Sequence, residues 1–254
     1  MISGAEVDLF LEKTCGKSFR LVPLTGDGSS RSYVRVISGD ESFILCRDDN
    51  YRSFQGEKYP FFIVHGLFEK AGVPVPRLFS HDKQKGLILQ EDMGDLLMEE
   101  YICTLDRDES RKLYSEVIDS LCAIQSIRGT GDVPFGLAFD SEKLLFEFEF
   151  FITHALKGYL EKSPDPALLD ELRAGFVEIS DILQRRDQFV LNHRDFHSRN
   201  IMISGGGHCI IDFQDARMGL PHYDLASLLR DSYVHLDDAL YETLLDYYYR
   251  SARE

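Results

Sequence analysis

The chain has 254 residues, is 44% hydrophobic with 18 phenylalanines, and carries a formal charge of −15 at pH 7. That length suits two lobes sharing a cleft, and there is ample apolar material for a core. The acidic balance excludes a nucleic-acid footprint, which needs a basic face, and disfavours anionic membranes; it is compatible with a cationic substrate but is more often only a solvated surface.

The opening MISGAEVDLF carries acids early and no basic region ahead of an apolar run, which is not the pattern of a secretory signal. Residues 6 to 16 are expected to form a short amphipathic helix ending near Gly16. Three strand-like runs follow, Phe19 to Leu24, Tyr33 to Ile37 and Phe43 to Cys46. Between the first two lies Thr25-Gly26-Asp27-Gly28-Ser29-Ser30, small residues whose backbone N–H groups can approach a phosphate closely. The string lacks the G-x-G-x-x-G spacing and reads equally well as an ordinary hairpin turn.

Residues 57 to 71 show helical spacing through Phe61, Val64, Phe68 and Ala71, and Gly72, Pro74 and Pro76 stop that helix. Two more strands, Arg77 to Ser80 and Leu87 to Gln90, complete a small lobe of five strands and a helix. Gln90-Glu91-Asp92-Met93-Gly94 then sits where a hinge would present backbone groups to an adenine ring, with Gln90 and Asp92 as candidates. From Asp95 to Arg186 the pattern is helical. One stripe runs through Leu113, Val117, Leu121, Ile124 and Ile127, and a second, opened by the possible cap Asp140, through Leu144, Phe148, Phe151, Ile152 and Tyr159. A third follows Pro166 through Leu168, Leu172, Phe176, Ile179 and Leu183. Such stripes are expected to face a core. Helices are also expected from Tyr223 to Val234 and from Asp238 to Arg250.

Residues 191 to 215, LNHRDFHSRNIMISGGGHCIIDFQD, carry the chemistry. Ile201-Met202-Ile203 and Cys209-Ile210-Ile211 are strand-favouring runs on either side of Gly205-Gly206-Gly207, hence a β-hairpin. Pairing symmetric about Gly206 would set Asn200 opposite Asp212, and a bulge would slip that register by one. His193-Arg194-Asp195 with Asn200 has the H-R-D-x-x-x-x-N spacing of a kinase catalytic loop, and Asp212-Phe213 stands where kinases place a metal-binding Asp-Phe-Gly. A carboxylate must accept the proton of the attacking hydroxyl, which suits Asp195; Mg²⁺ needs hard oxygen ligands, which suits Asn200 and Asp212. As turn residues capping a hairpin, Asp195 and Asn200 would also be unremarkable.

Cys15, Cys46, Cys103, Cys122 and Cys209 are odd in number and contain no C-x-x-C pair, as in a reducing compartment. No apolar stretch reaches membrane-spanning length, since even LLFEFEFFI is broken by Glu147 and Glu149. A soluble, cytoplasmic protein is expected, of undetermined oligomeric state.

With these features in hand, the chain resembles the aminoglycoside phosphotransferase superfamily, small-molecule kinases on the protein-kinase fold. Within it, GDGSSRSYVRV at 26 to 36, KAGVPVP at 70 to 76, LILQEDMGD at 87 to 95, HRDFHSRN at 193 to 200 and IIDFQDARMGLPHYDLASLLRD at 210 to 231 look like the bacterial N-acetylmuramate/N-acetylglucosamine anomeric kinases. The resemblance implies an α+β, two-lobed fold. Its nucleotide-binding lobe would be 1–93, a five-stranded antiparallel sheet with one helix; its catalytic and acceptor lobe would be 94–254, mainly helical around the hairpin. It implies Asp195 as base, Asn200 and Asp212 as Mg²⁺ ligands, Gly26, Gly28, Ser29, Ser30 and Arg31 as a phosphate loop for ATP, and His193 and Asp224 as supports of the catalytic loop. Asp224 reads equally well as a helix cap. His197, Arg199, Gln214 and Asp215 flank the loop as acceptor candidates.

Two departures stand out. The third strand ends in Cys46-Arg47, where a phosphate-gripping lysine is expected, and Phe61-Phe62 occupy the place of its partner glutamate, so that ion pair is expected to be absent. Arg31, Arg35 or Arg47 would supply the charge, or each is a surface residue. The 42 residues after Asp212 are fewer than such kinases usually carry, in keeping with a short or truncated form. Three functions stay open: an anomeric amino-sugar kinase; a kinase of an aminoglycoside, choline or another small alcohol; and a nucleotide-binding pseudokinase regulating a partner. Protein kinase activity is not expected, because eight residues between Gln214 and Tyr223 are too few for an activation segment.

Overall fold

A computed structural model describes residues 4–24, 31–131 and 133–252. The chain divides into two compact units, Met1–Ser110 with Ser198–Asp212, and Arg111–His197 with Phe213–Glu254.

The first unit is built on five strands, β1 (Arg20–Pro23), β2 (Arg31–Ser38), β3 (Glu41–Asp48), β4 (Leu78–Asp82) and β5 (Leu87–Glu91). All neighbours are antiparallel, in the order β1-β2-β3-β5-β4. The central strand β3 buries Phe43 to Cys46 without alternation, as a strand covered on both faces must. Helix α1 (Ala5–Cys15) lays Val7, Phe10, Leu11 and Cys15 against Val34, Val36, Phe43, Leu45, Leu87 and Leu89. Those spacings make one helical stripe. Helix α3 (Pro60–Lys70) buries Phe61, Val64, His65 and Phe68, starts on its proline, and is followed by Gly72 at φ +77°. The five-residue helix α2 (Asp49–Ser53) was not expected from periodicity. It forms because Asp48 caps it, accepting from Asn50 N at 2.9 Å and Tyr51 N at 3.2 Å.

Gly86 fixes where β3 ends. It sits at φ +67°, and a Cβ there would lie 2.5 Å from the Asp48 carbonyl oxygen. Gly86→Ala should therefore cost about 1–3 kcal/mol in urea unfolding. An unchanged midpoint would show that this approach is not tight.

The hairpin, β7 (Ile201–Ser204) with β8 (Gly207–Ile210), belongs to this unit together with helix α4 (Met98–Ile102). Main-chain bonds hold it there, Ile203 N to Leu96 O and Ile210 N to Pro74 O, both 2.8 Å. Its reversal is the two-residue turn Gly205-Gly206 at φ +60° and +81°, with Gly207 already in β8. Two consecutive positive-φ residues match the right-handed twist of the strands, which is why the glycine triplet is not used as a symmetric loop.

The second unit is mainly helical. Helix α5 (Arg107–Ser126) buries Leu113, Val117, Leu121, Ile124 and Ile127 as its periodicity requires, the last just past its end. Helix α6 (Ser141–Phe150) is capped by Asp140, which accepts from Lys143 N at 2.9 Å, and continues as a π-helical stretch, Phe151–Tyr159. Helix α7 (Pro166–Leu183) lies against α6, with Phe148 stacked on Phe176 at 4.3 Å. Strands β6 (Val190–Asn192) and β9 (Arg217–Gly219) pair antiparallel. Helices α8 (His222–Leu229) and α9 (Asp238–Ser251) follow, tied by Tyr248 Oη to Gln125 Oε1 and Gln125 Nε2 to Pro221 O.

The third stripe departs from expectation. Leu168 and Ile179 are 45% and 43% exposed, and Phe151 and Tyr159 of the second stripe are also exposed. Periodicity records a face fit for burial, not a partner for it; among the described residues α6 covers only one side of α7. No helix of the described residues is long and apolar enough to cross a membrane.

Candidate active site

The β2–β3 register sets Arg31 directly opposite Asp48. Arg31 Nε donates to Asp48 Oδ2 at 2.9 Å, and Tyr59 Oη donates to the same oxygen at 2.7 Å. Asp48 is fully buried and the Arg31 side chain is 10% exposed. Burial acts to raise the Asp48 pKa, but the hydrogen bonds of Tyr59 and Arg31 and the Arg31 charge outweigh it and hold the carboxyl below its ordinary range. Burial likewise acts to lower Arg31, and Tyr33 with Asp48 more than offsets it.

This buried pair is a different one from the strand-lysine and helix-glutamate pair discussed above. Its acid comes from the end of β3, and helix α3 offers the Phe61 ring instead, 5.9 Å from the guanidinium. Arg31 is not a surface charge. Its Nη1 lies 3.9 Å from Oδ1 of Asp212. With Asp212 48% exposed, that contact is too long and too solvated to contribute much stability, but it places a fixed positive charge beside a candidate metal ligand.

The other two arginines are occupied differently. Arg35 clamps Asp92 (2.6 and 3.0 Å), Asp95 (2.8 and 3.0 Å) and the Gly94 carbonyl, closing the turn after β5. The Asp92 side chain is therefore committed within the unit, and Gln90 pairs across to Ile44. Arg47 is more exposed and lies 3.5 Å from Asp49. Gly26, Gly28, Ser29 and Ser30 lie outside the described residues.

Asn200 is not opposite Asp212. The hairpin register continues to Ile211, whose N–H donates to Asn200 O at 3.0 Å, so Asp212 comes one residue later, at φ +62°. Aspartate tolerates that left-handed conformation better than most residues. Asn200 and Asp212 thus both stand at the open end of one ribbon, and each carries a hard oxygen. Among the described residues no three His, Cys, Asp or Glu side chains gather into a metal cage. A pair of oxygen ligands still fits Mg²⁺, which keeps several waters and takes phosphate oxygens for the remainder. Arg199, one of the acceptor candidates, pairs with Glu99 on α4 at 2.7 and 3.2 Å.

In the second unit, strand β6 delivers the His193-Arg194-Asp195 loop. Asp224, the third residue of α8 and fully buried, accepts from His193 N at 2.5 Å and Arg194 N at 3.0 Å. It therefore braces the loop and does not cap its helix. Those bonds hold Arg194 at φ +91°, a strained conformation for a non-glycine residue. His193 is buried, and its Nδ1 accepts from Asp195 N at 3.3 Å. Asp195 is partly exposed. Asp215 lies 3.5 Å from Arg194, His197 packs edge-on to Tyr233, and Gln214 is half-buried. Sequence reasoning missed Asp48 and Tyr59, because nothing in their local strings marks them as buried or paired with Arg31.

Burial pushes the Asp224 carboxyl up to about 7, with Asp195 adding to the rise and the two backbone bonds opposing it. Since the unfolded value is about 3.9, between roughly pH 4 and 7 the folded chain holds more protons, and this group's contribution to stability falls as pH rises. Urea midpoints measured from pH 4.5 to 7.5 should show that slope flattened in Asp224→Asn. An identical slope would place the titration elsewhere.

The model of the phosphotransferase enzyme family (APH) matches residues 20–254. The chain is 31% identical over 235 residues to an N-acetylmuramate/N-acetylglucosamine kinase of Pseudomonas aeruginosa, an alignment covering 91% of this chain and 66% of that protein. It is 28% identical over 255 residues to a protein of the same name from Pseudomonas putida, covering 97% and 70%. The chain thus spans about two thirds of the length of these relatives. Among solved structures it superposes on the ADP-bound aminoglycoside phosphotransferase APH(2'')-Ib with a TM-score of 0.70 at 18% identity, covering 99% of this chain and 86% of that one. The choline kinase LicA of Streptococcus pneumoniae gives 0.63 at 15%, covering 96% and 80%. The α+β fold expected from the sequence, a five-stranded antiparallel sheet with a mainly helical remainder, is the fold of these structures, and the chain belongs to the phosphotransferase enzyme family.

Proposed function

We propose that the chain is an ATP-dependent kinase acting on the anomeric hydroxyl of N-acetylmuramate or N-acetylglucosamine, a cytoplasmic step in the recycling of cell-wall sugars. The observation that carries the reading is the loop ending in Asp195, braced by Asp224 and continuing without a break into the Asn200–Asp212 hairpin. The names of the relatives supply the acceptor.

Asp195 takes the hydroxyl proton as the acceptor oxygen bonds to the terminal phosphorus and the bond to ADP breaks. A hemiacetal hydroxyl is more acidic than an ordinary alcohol, so a carboxylate is a sufficient base. Asn200 and Asp212 would hold Mg²⁺, which neutralises charge on the phosphates. Arg31 adds a fixed guanidinium, and the backbone of 90–94 receives the nucleotide base. In this reading residues 1–93 form the nucleotide-binding lobe and 94–254 the catalytic and acceptor lobe.

ADP release with a panel of acceptors tests it. Turnover with N-acetylglucosamine or N-acetylmuramate is expected. Turnover with kanamycin or choline alone would move the acceptor assignment, and none with any acceptor would leave a nucleotide-binding pseudokinase.

A further inference from the structure

Arg217 has no role in the scheme above. It lies on β9 directly across from Asn192, three residues before Asp195 along β6 and its loop. It is half-buried, its Nε donates to the Asp215 carbonyl at 3.3 Å, and its guanidinium faces the Phe139 ring at 5.4 Å, which in turn stacks on Tyr223 at 4.1 Å. Two acids are near enough to act on it, Asp215 and Glu147, and both are engaged elsewhere. The Asp215 carboxylate is 3.5 Å from Arg194, and Glu147 is 3.4 Å from Lys143, one turn back on α6. Among the described residues no carboxylate lies within 4.0 Å of the Arg217 side-chain nitrogens. Arg194 and Arg217 are therefore two guanidiniums close enough to act on one another, with the Asp215 carboxylate paired to Arg194. Burial and the Arg194 charge pull the Arg217 pKa below its ordinary value, with Asp215, Glu147 and Tyr223 opposing. A desolvated cation beside a like charge is stabilised by an incoming anion, and the planar guanidinium fork matches a carboxylate.

We propose that Arg217 is an acceptor-specificity residue, binding the carboxylate of an anionic acceptor. This rests on the kinase reading above and deepens it. The lactyl ether on C3 of N-acetylmuramate carries such a carboxylate, two ring atoms from the anomeric carbon, and N-acetylglucosamine carries none. Arg194 contributes charge while remaining tied to Asp215. Tyr223, within electrostatic reach of Asp195, Arg194 and Glu147, closes the same cluster.

The test is the ratio of kcat/KM for N-acetylmuramate to that for N-acetylglucosamine. In Arg217→Met this ratio should fall on the order of 10- to 100-fold, the value of a hydrogen bond to a charged group. Arg217→Lys should fall between Met and wild type. The ligand side gives a test on the unaltered protein: converting N-acetylmuramate to its methyl ester should raise KM by a similar factor. An unchanged ratio in Arg217→Met, or equal KM for acid and ester, overturns the proposal while leaving the kinase reading intact. If the unaltered protein turns over neither sugar, both fall together.

Discussion

Asp195→Asn is expected to lower turnover by about 10²–10⁴-fold, the usual contribution of a positioned general base, while leaving nucleotide affinity nearly unchanged. The substitution keeps the side chain's shape. Two contacts at this residue, Asp195 N to His193 Nδ1 and His197 N to Asp195 O, use its main-chain atoms and survive the change. What is lost is an atom able to take a proton. Proton acceptance belongs to the transition state, so the loss falls on kcat and not on the dissociation constant of the nucleotide. Steady-state kinetics with a saturating amino sugar, with nucleotide titration by calorimetry, separates the two. Wild-type turnover in this variant would remove Asp195 from its role.

Asp48→Ala should be the most destabilising single change in the first unit, costing about 3–5 kcal/mol, because it leaves the buried Arg31 charge uncompensated. It also orphans the Tyr59 hydroxyl and the first N–H groups of α2. Tyr59→Phe removes one donor to the same oxygen and should cost only about 1 kcal/mol. Because the folded Asp48 pKa is depressed, its stabilisation is complete above the unfolded value of about 3.9 and is lost as pH falls through the lower folded value. Chemical denaturation measures both variants. A loss below 1 kcal/mol in Asp48→Ala would mean that the pair is compensated by solvent and does not fix the guanidinium.

Much of this was legible in the sequence, for local reasons. The strands of the sheet, the helix that follows Pro166 and the Asp140 cap each depend on residues within a few positions of one another, and the structure places them as expected. The loop and hairpin were legible because their chemistry is written in consecutive residues. The exact register was not, since Gly205-Gly206-Gly207 allows two reversals and only strand twist selects the two-residue turn. The Arg31–Asp48 pair was hidden for a different reason. Cys46-Arg47-Asp48-Asp49-Asn50 reads as a polar surface run, and only the cross-strand register with Arg31 and the burial of Tyr59 turn its first aspartate inward. Arg35 could not be told from a phosphate ligand until its clamp on residues 92 to 95 was seen. Arg217 becomes conspicuous only when every acid around it is accounted for. The apolar stripe of α7 shows the converse limit, a pattern present in the sequence whose partner is not among the described residues.

The claim that this chain moves a phosphoryl group onto a sugar's anomeric oxygen is tested most directly by phosphorus NMR of the products formed from Mg-ATP and N-acetylglucosamine. The account predicts ADP and a new phosphomonoester signal split into a doublet by the single proton on C1. A triplet from a primary-carbon ester, or only inorganic phosphate alongside ADP, would contradict it.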